Sequence, residues 1–165
     1  MKRYINYIIY VLKHKYYVFL ACRHMRVPLL RSILHDWSKF TIAEFSPYAI
    51  NFFNKDGTRR SVRNQDGSYD PNSQSISFKY AWLNHQKNKH HWQAWVSIGD
   101  GGNLSLLNIP ETYLREMIAD WSGAGMAISG ISNPTAWYYK NRDKILLNND
   151  SRLLLETLLN NYYKD

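Results

Sequence analysis

The residues of this chain best suited to chemistry are its histidines and the acids that accompany them. Of six histidines, His35 precedes Asp36, His90 adjoins His91, and His85 lies five residues before His90. His14 comes earlier, and Asp120 stands in the segment REMIADW. Imidazole nitrogens and carboxylate oxygens are what a divalent transition metal takes, with an open position for water where the site is catalytic. His14, His35, Asp36, His85, His90, His91 and Asp120 are therefore the candidate metal ligands. His24 reads as an ordinary packed or solvated helix residue. The single cysteine, Cys22, rules out an intrachain disulfide and a thiolate zinc site.

Spacing limits how these side chains can meet. Adjacent residues on a regular helix point about 100° apart, so His35 and Asp36 cannot easily grip one ion unless the helix ends there and the backbone turns. His85 and His90-His91 would be roughly 140° to 240° apart on one straight helix. Either one of them binds, or the helix breaks between them, with Asn88 as the N-cap of a new helix from Lys89. Asp120, between Ala119 and Trp121, reads as buried with a partner. Glu116 lies four residues earlier on the same face, and reads either as a surface carboxylate paired with Arg115 or Lys140 or as a general base.

The elements that must position these groups read as helices. Ile5, Ile8, Ile9, Leu12, Tyr16, Phe19 and Leu20 recur at helical spacing over residues 2–25, and Tyr7, Val11, His14 and Val18 form the neighbouring stripe, which points His14 inward. Pro28 opens a second helix ending near His35-Asp36. Thr41 with Glu44 has the form of a capping box, with Phe40 and Phe45 as its staple, ahead of a helix from about Ile42 to Phe53. Residues 55–72 carry two Asp-Gly pairs and four basic residues, and read as a mobile loop or short hairpin with a lid or binding role. Residues 74–97 read as an aromatic-rich helical stretch, and Ser97 to Ile109 as a Gly-rich connection. Pro110-Glu111 opens a helix that Gly123 and Gly125 loosen. Asn133-Pro134 starts another, running to about Leu146, and Asp150-Ser151 starts the last. Six or seven helices in one all-α domain over residues 1–165 is the expected fold.

Composition sets the class of partner. The chain is 45% hydrophobic and carries 13 Tyr and 6 Trp, enough for a core around a polar pocket. Its formal charge of +8 favours an anion: a nucleotide, a nucleic acid or a phosphorylated metabolite. The N-terminus starts like a signal peptide, but Lys13, His14 and Lys15 cut the apolar run short of a membrane span and no small-residue cleavage site follows, so a cytoplasmic protein without a membrane partner is expected.

The order His14, His35-Asp36, Asp120 on separate helices resembles the HD superfamily of metal-dependent phosphohydrolases. In that family a His, a His-Asp doublet and a distant Asp hold a divalent metal in an all-α bundle, and histidines between them add a second metal position; here His85, His90 and His91 occupy that stretch. His-Asp-Trp-Ser-Lys is similar to the His-Asp-x-x-Lys pattern of cyclic-dinucleotide phosphodiesterases in the superfamily, where the lysine contacts phosphate; their Gly-Tyr-Pro motif is missing. The runs HKYYVFLAC, LHDWSKFTIAEFSPYA, AWLNHQKNKHHWQAW and REMIADWSGA also resemble a family of uncharacterised bacterial and bacteriophage proteins, which places the chain in a host cytoplasm if phage-encoded.

The resemblance implies one or two divalent ions (Mn, Fe, Co, Zn or Mg) activating water for attack on phosphorus. Lys39, Arg59 and Arg60, with other arginines of the 59–63 stretch, would bind phosphate oxygens, and Trp37, Trp82, Tyr138 or Tyr139 would stack on a base. Asp36, Lys39 and Glu116, or Glu44 as base, would be catalytic. The expected substrate is a nucleotide or nucleoside phosphate. The rivals are a di-iron oxygenase of the same scaffold and a non-catalytic phage nucleotide or nucleic-acid binder.

Overall fold

The computed structural model describes residues 1–65, 68 and 73–162. Among them are seven α-helices: α1 Lys2–His24, α2 Leu29–Leu34, α3 Ile42–Phe52, α4 Ile76–His85, α5 Glu111–Ser129, α6 Pro134–Asn141 and α7 Asn149–Asn161. A two-stranded antiparallel hairpin, β1 Val96–Ile98 and β2 Leu104–Leu106, sits between α4 and α5. The fold is all-α, as expected.

The spine is α1 laid along α5. Two apolar stripes compete for the buried face of α1, and the one that carries Tyr7, Val11, His14, Val18, Ala21 and Cys22 wins. Ile5, Ile8, Ile9, Leu12, Tyr16 and Leu20 point outward instead. The reason is close approach: a Cβ on Gly123 would lie 2.6 Å from the Val18 backbone nitrogen, so glycine lets the two helices touch there. Gly123 and Gly125 therefore do not loosen α5, which continues to Ser129 and ends on Gly130 in the left-handed conformation (φ 75°).

Other boundaries shift as well. The helical reading of 74–97 holds only to His85; beyond it come turns and a 3₁₀ helix Trp92–Trp95, and Ser97 to Ile109 contains the hairpin. Thus no helix starts at Lys89. The α6 helix stops at Asn141 rather than near Leu146, because Ile145 and Leu147 leave in extended chain to fill the core. Asn148, not Asp150, caps α7 by accepting the Ser151 amide. The first Asp-Gly pair of the basic segment makes a tight turn, with the Asn54 amide donating to Thr58 and Phe53 bridging Arg59. The second, Asp66-Gly67, and residues 69–72 lie outside the described residues.

Two hydrophobic clusters result. One is mainly aliphatic and joins the C-terminal half of α1 to α5 and α7 through Val18, Cys22, Leu114, Ile118, Leu155 and Leu159. The other is aromatic and joins the N-terminal half of α1 to α3 and α4 through Tyr7, Tyr48, Phe52 and Phe78. His14, between Val11 and Val18, marks the seam. No described helix is long and apolar enough to cross a membrane.

Candidate metal centre

The doublet works because the chain breaks at it. α2 ends at Leu34, His35 is extended, and Asp36 takes the left-handed conformation (φ 55°), which aspartate tolerates better than most residues. The Lys15 ammonium donates to the carbonyls of Ile33 and His35 and closes the helix end. A 3₁₀ helix, Trp37–Phe40, then turns the chain away, and His35 and Asp36 both finish buried.

The capping box does not form. Thr41 occupies the N-cap position, but its hydroxyl donates to the Ser38 carbonyl. Glu44 is instead fully buried and accepts hydrogen bonds from Ser38 (3.1 Å) and Asn84 (2.7 Å). Its Oε2 also lies 3.0 Å from His85 Nδ1. A carboxylate that finds three polar partners inside is not drawn to the helix N-terminus.

All seven candidate ligands converge. His14 Nε2 lies 3.1 Å from Asp36 Oδ2 and 3.2 Å from Asp120 Oδ1, and His35 Nε2 lies 3.5 and 3.4 Å from the same two oxygens. On the other oxygen of Asp36, His90 Nε2 stands at 3.1 Å and His85 Nε2 at 3.7 Å, while His91 Nε2 is 3.0 Å from His85 Nε2. The break after α4 is what brings His85 and His91 together. The result is two ligand groups, His14–His35–Asp36–Asp120 and Asp36–His85–His90–His91, in each of which the ligand atoms lie within 4.8 Å of one another. Asp36 belongs to both.

A third group, His35–His90–Glu116, faces the other way. Glu116 Oε1 lies 3.0 Å from His35 Nδ1 and 3.4 Å from His90 Nδ1, so it holds the outer nitrogens of both rings and turns their Nε2 atoms toward Asp36. Glu44 does the same for His85. Carboxylates behind imidazoles in this manner fix the tautomer and orientation of metal ligands. Glu116 is thus not a surface carboxylate; Arg115 pairs with Glu111, and Glu116 takes Arg31 at 3.4 Å.

The charges are arranged for a cation. Burial works against the Asp36 carboxylate, but His35 and Lys39 outweigh it and hold the group well below the usual range. Asp120 is also held well below its ordinary value, with burial overcome by His14 and His35. Burial and the nearby His35 charge lower His90, and burial with His90 and His85 puts His91 well below an ordinary histidine. His35 goes the other way, up to about 10, because Asp36, Asp120 and Glu116 overcome its burial. The ionised acids and the neutral His90 and His91 are in the forms that metal coordination requires, and His35 would give up its proton on binding an ion.

The packing also leaves polar atoms that protein does not satisfy. His35 Nε2, His90 Nε2, Asp36 Oδ1 and His14 Nδ1 are buried and make no hydrogen bond. His90 Nε2 and Asp36 Oδ1 approach each other closely but are not aligned as donor and acceptor. Leaving such atoms unpaired costs about 1–3 kcal/mol each. A divalent ion fits this donor set, with nitrogen and carboxylate oxygen in the ratio that zinc, iron, cobalt or manganese accepts.

A cavity of about 690 Å³ opens onto the centre, with His14, His85, His91 and Asp120 in its wall. Lys39 also lines it and forms a buried ion pair with Asp36. Of the other residues expected at substrate, Trp37 is 62% exposed and Tyr138 is fully buried, bonded to Glu156; neither lines the cavity. Arg59 stacks on Tyr10 at 5.0 Å and Arg60 donates to the Ile50 carbonyl. Arg63 and Trp82 do reach the cavity, together with Trp92, Trp121, Trp137 and Lys144, which the sequence did not single out. The signal for Trp121 was its place beside Asp120 on the same helix.

Fold and centre together define a helical protein whose buried histidines and acids are positioned to hold a metal ion. The chain belongs to a family of unknown function, DUF5662, which matches residues 3–161. No curated protein and no solved structure matches it significantly.

Proposed function

We propose that this protein is a metal-dependent phosphohydrolase of the HD type acting on a nucleotide or related phosphate ester. The observation that carries the reading is the shared carboxylate: Asp36 offers one oxygen to each of two buried ligand groups, among whose atoms His35 Nε2, His90 Nε2 and Asp36 Oδ1 make no hydrogen bond. A divalent ion in this donor set would lower the pKa of a bound water towards neutrality and offset phosphate charge.

The chain's own residues supply the rest. His14, His35, Asp36 and Asp120 would hold one ion, and Asp36, His85, His90 and His91 a second. Glu116 and Glu44 orient the imidazoles. Burial opposes the charge on Lys39, but Asp36 raises its pKa well above the ordinary value, so a fixed cation faces the cavity where a phosphate oxygen would lie. Arg63 and Lys144 extend the positive wall, and Trp82, Trp92, Trp121 and Trp137 give flat apolar surface for a base. The volume, about 690 Å³, lies within the roughly 300–1,000 Å³ of small-molecule sites.

The nitrogen-rich, two-group donor set also favours a second reading, a di-iron oxygenase. Elemental analysis of purified protein, a nucleotide panel assayed for phosphate release with added manganese, and oxygen consumption with added iron separate the two. Phosphate release that Asp36→Asn abolishes is the expected result. No release from any nucleotide by fully metal-loaded protein rules the hydrolase out, and oxygen uptake then selects the second reading. Retained nucleotide affinity without turnover selects a binder.

A further inference from the structure

A second cavity, of about 450 Å³, reaches the same centre by another route. It shares no lining residue with the large one: its floor is His35, Asp36, His90 and Glu116, whereas the large cavity meets the centre at His14, His85, His91 and Asp120. Arg31 and Lys89 line it as well. Both are gathered around the ring of Tyr113, Arg31 at 4.1 Å and Lys89 at 5.9 Å from its centroid. Arg31 is paired with Glu116 at 3.4 Å, while the other oxygen of Glu116 faces two imidazoles, and among the described residues no ion pair engages Lys89. Two cations in one wall, above a floor that a metal ion would make more positive, suit a small anion with several oxygens.

We infer that the small cavity is a second mouth of the centre, selective for a phosphate-sized oxyanion, through which inorganic phosphate leaves while the organic product still fills the large cavity. Hydrolysis joins a water oxygen to phosphorus, breaks the ester P–O bond and gives the leaving oxygen a proton, so one product is a compact anion and the other a bulky alcohol. In-line displacement sends entering and leaving groups to opposite sides of phosphorus. A tryptophan-walled chamber holding the alcohol would trap the anion were there no other exit. Which anion is delivered rests on the hydrolase reading; the existence of the subsite does not.

The test uses full-length, manganese-loaded protein and inorganic phosphate, with affinity and exchange read from the relaxation of the phosphorus NMR signal by bound manganese. Lys89→Ala, at an exposed position, should weaken phosphate about fivefold with manganese affinity unchanged, and adding Arg31→Ala should bring the loss to about tenfold or more when each variant is compared at its own manganese saturation. Leu34→Trp, at a half-exposed residue lining the small cavity, should slow phosphate exchange, whereas Trp137→Ala in the large cavity should leave phosphate binding as it was. Phosphate affinity within about twofold of the parent in both cation variants overturns the second mouth. So does equal weakening by Trp137→Ala. Protein that takes up no manganese overturns the metal centre and the mouth together, and this is seen before phosphate is added. Binding as expected without turnover of any nucleotide removes the hydrolase and leaves the subsite standing.

Discussion

The two halves of the molecule are built differently, yet each holds residues of the same candidate centre. In the aliphatic half a 19-residue helix, α5, lies in backbone contact with α1 and supplies Asp120, with Glu116 behind two imidazoles. In the aromatic half the shorter α3 and α4 are joined by rings, Phe78 with Tyr48 at 4.9 Å and Phe52 at 5.9 Å, and supply His85 with Glu44 behind it. One half fixes its ligands by backbone proximity, the other by side-chain packing. Asp36 sits between them, and the centre exists only where both are in register.

The largest effect is expected from breaking the element common to both halves. Asp36→Asn keeps the left-handed backbone, which asparagine tolerates, but removes the charge that both groups share. Manganese binding should be lost at both positions, as read by calorimetry, while the far-ultraviolet circular dichroism is retained. Retention of one full-affinity ion would show that the groups are independent. Next come the two packing modes. Phe78→Ala should destabilise by about 3–5 kcal/mol in urea unfolding, as for other buried rings. Gly123→Val should cost about 3 kcal/mol, since its Cβ meets backbone that cannot rotate away. The two variants should damage different ligand groups: Gly123→Val should also weaken the His14–Asp120 group, whereas Phe78→Ala, which touches His85 through Tyr48, should loosen the other.

A smaller effect sharpens the same contrast. Carboxylates that orient metal-binding imidazoles are worth roughly 10- to 100-fold in metal affinity. Glu116 orients two imidazoles and Glu44 one, so Glu116→Gln should fall near the upper end and Glu44→Gln near about tenfold. Equal losses would mean that the carboxylates act through net charge rather than by orienting particular rings.

Helix number and the residues that converge on the candidate centre were legible because both rest on local rules: periodicity, caps at Asn133-Pro134, and a His-Asp doublet beside a predicted helix end. Choices made by distant partners could not be read. Two stripes on α1 are equally periodic, and only the approach of Gly123 to Val18 decides between them. Thr41 and Glu44 have capping-box spacing, and only the presence of Asn84 and His85 inside draws Glu44 away from the cap. Glu116 likewise reads as either a surface acid or a general base until His35 and His90 are folded onto it. Both carboxylates read in the sequence as possible bases, but their place behind the imidazoles does not show there, since it depends on partners from other segments.

The smallest predicted effect concerns the core of the aliphatic half, where Cys22 is fully buried. Burial, reinforced by the charge of Glu116, pushes its thiol up to about 12. An unperturbed cysteine titrates near 8.5, so at pH 8.5 about half would be thiolate, the reactive form. Raising the pKa to about 12 leaves Cys22 protonated at that pH, and the sign is unambiguous: reactivity should stay low until strongly alkaline conditions. Iodoacetamide at pH 8.5 should therefore modify the native protein far more slowly than the urea-unfolded chain. Gly123→Val, by prying α1 from α5 one turn away at Val18, should speed that labelling, while Phe78→Ala in the other half should not. Equal acceleration by both variants would show that the two halves open as one unit.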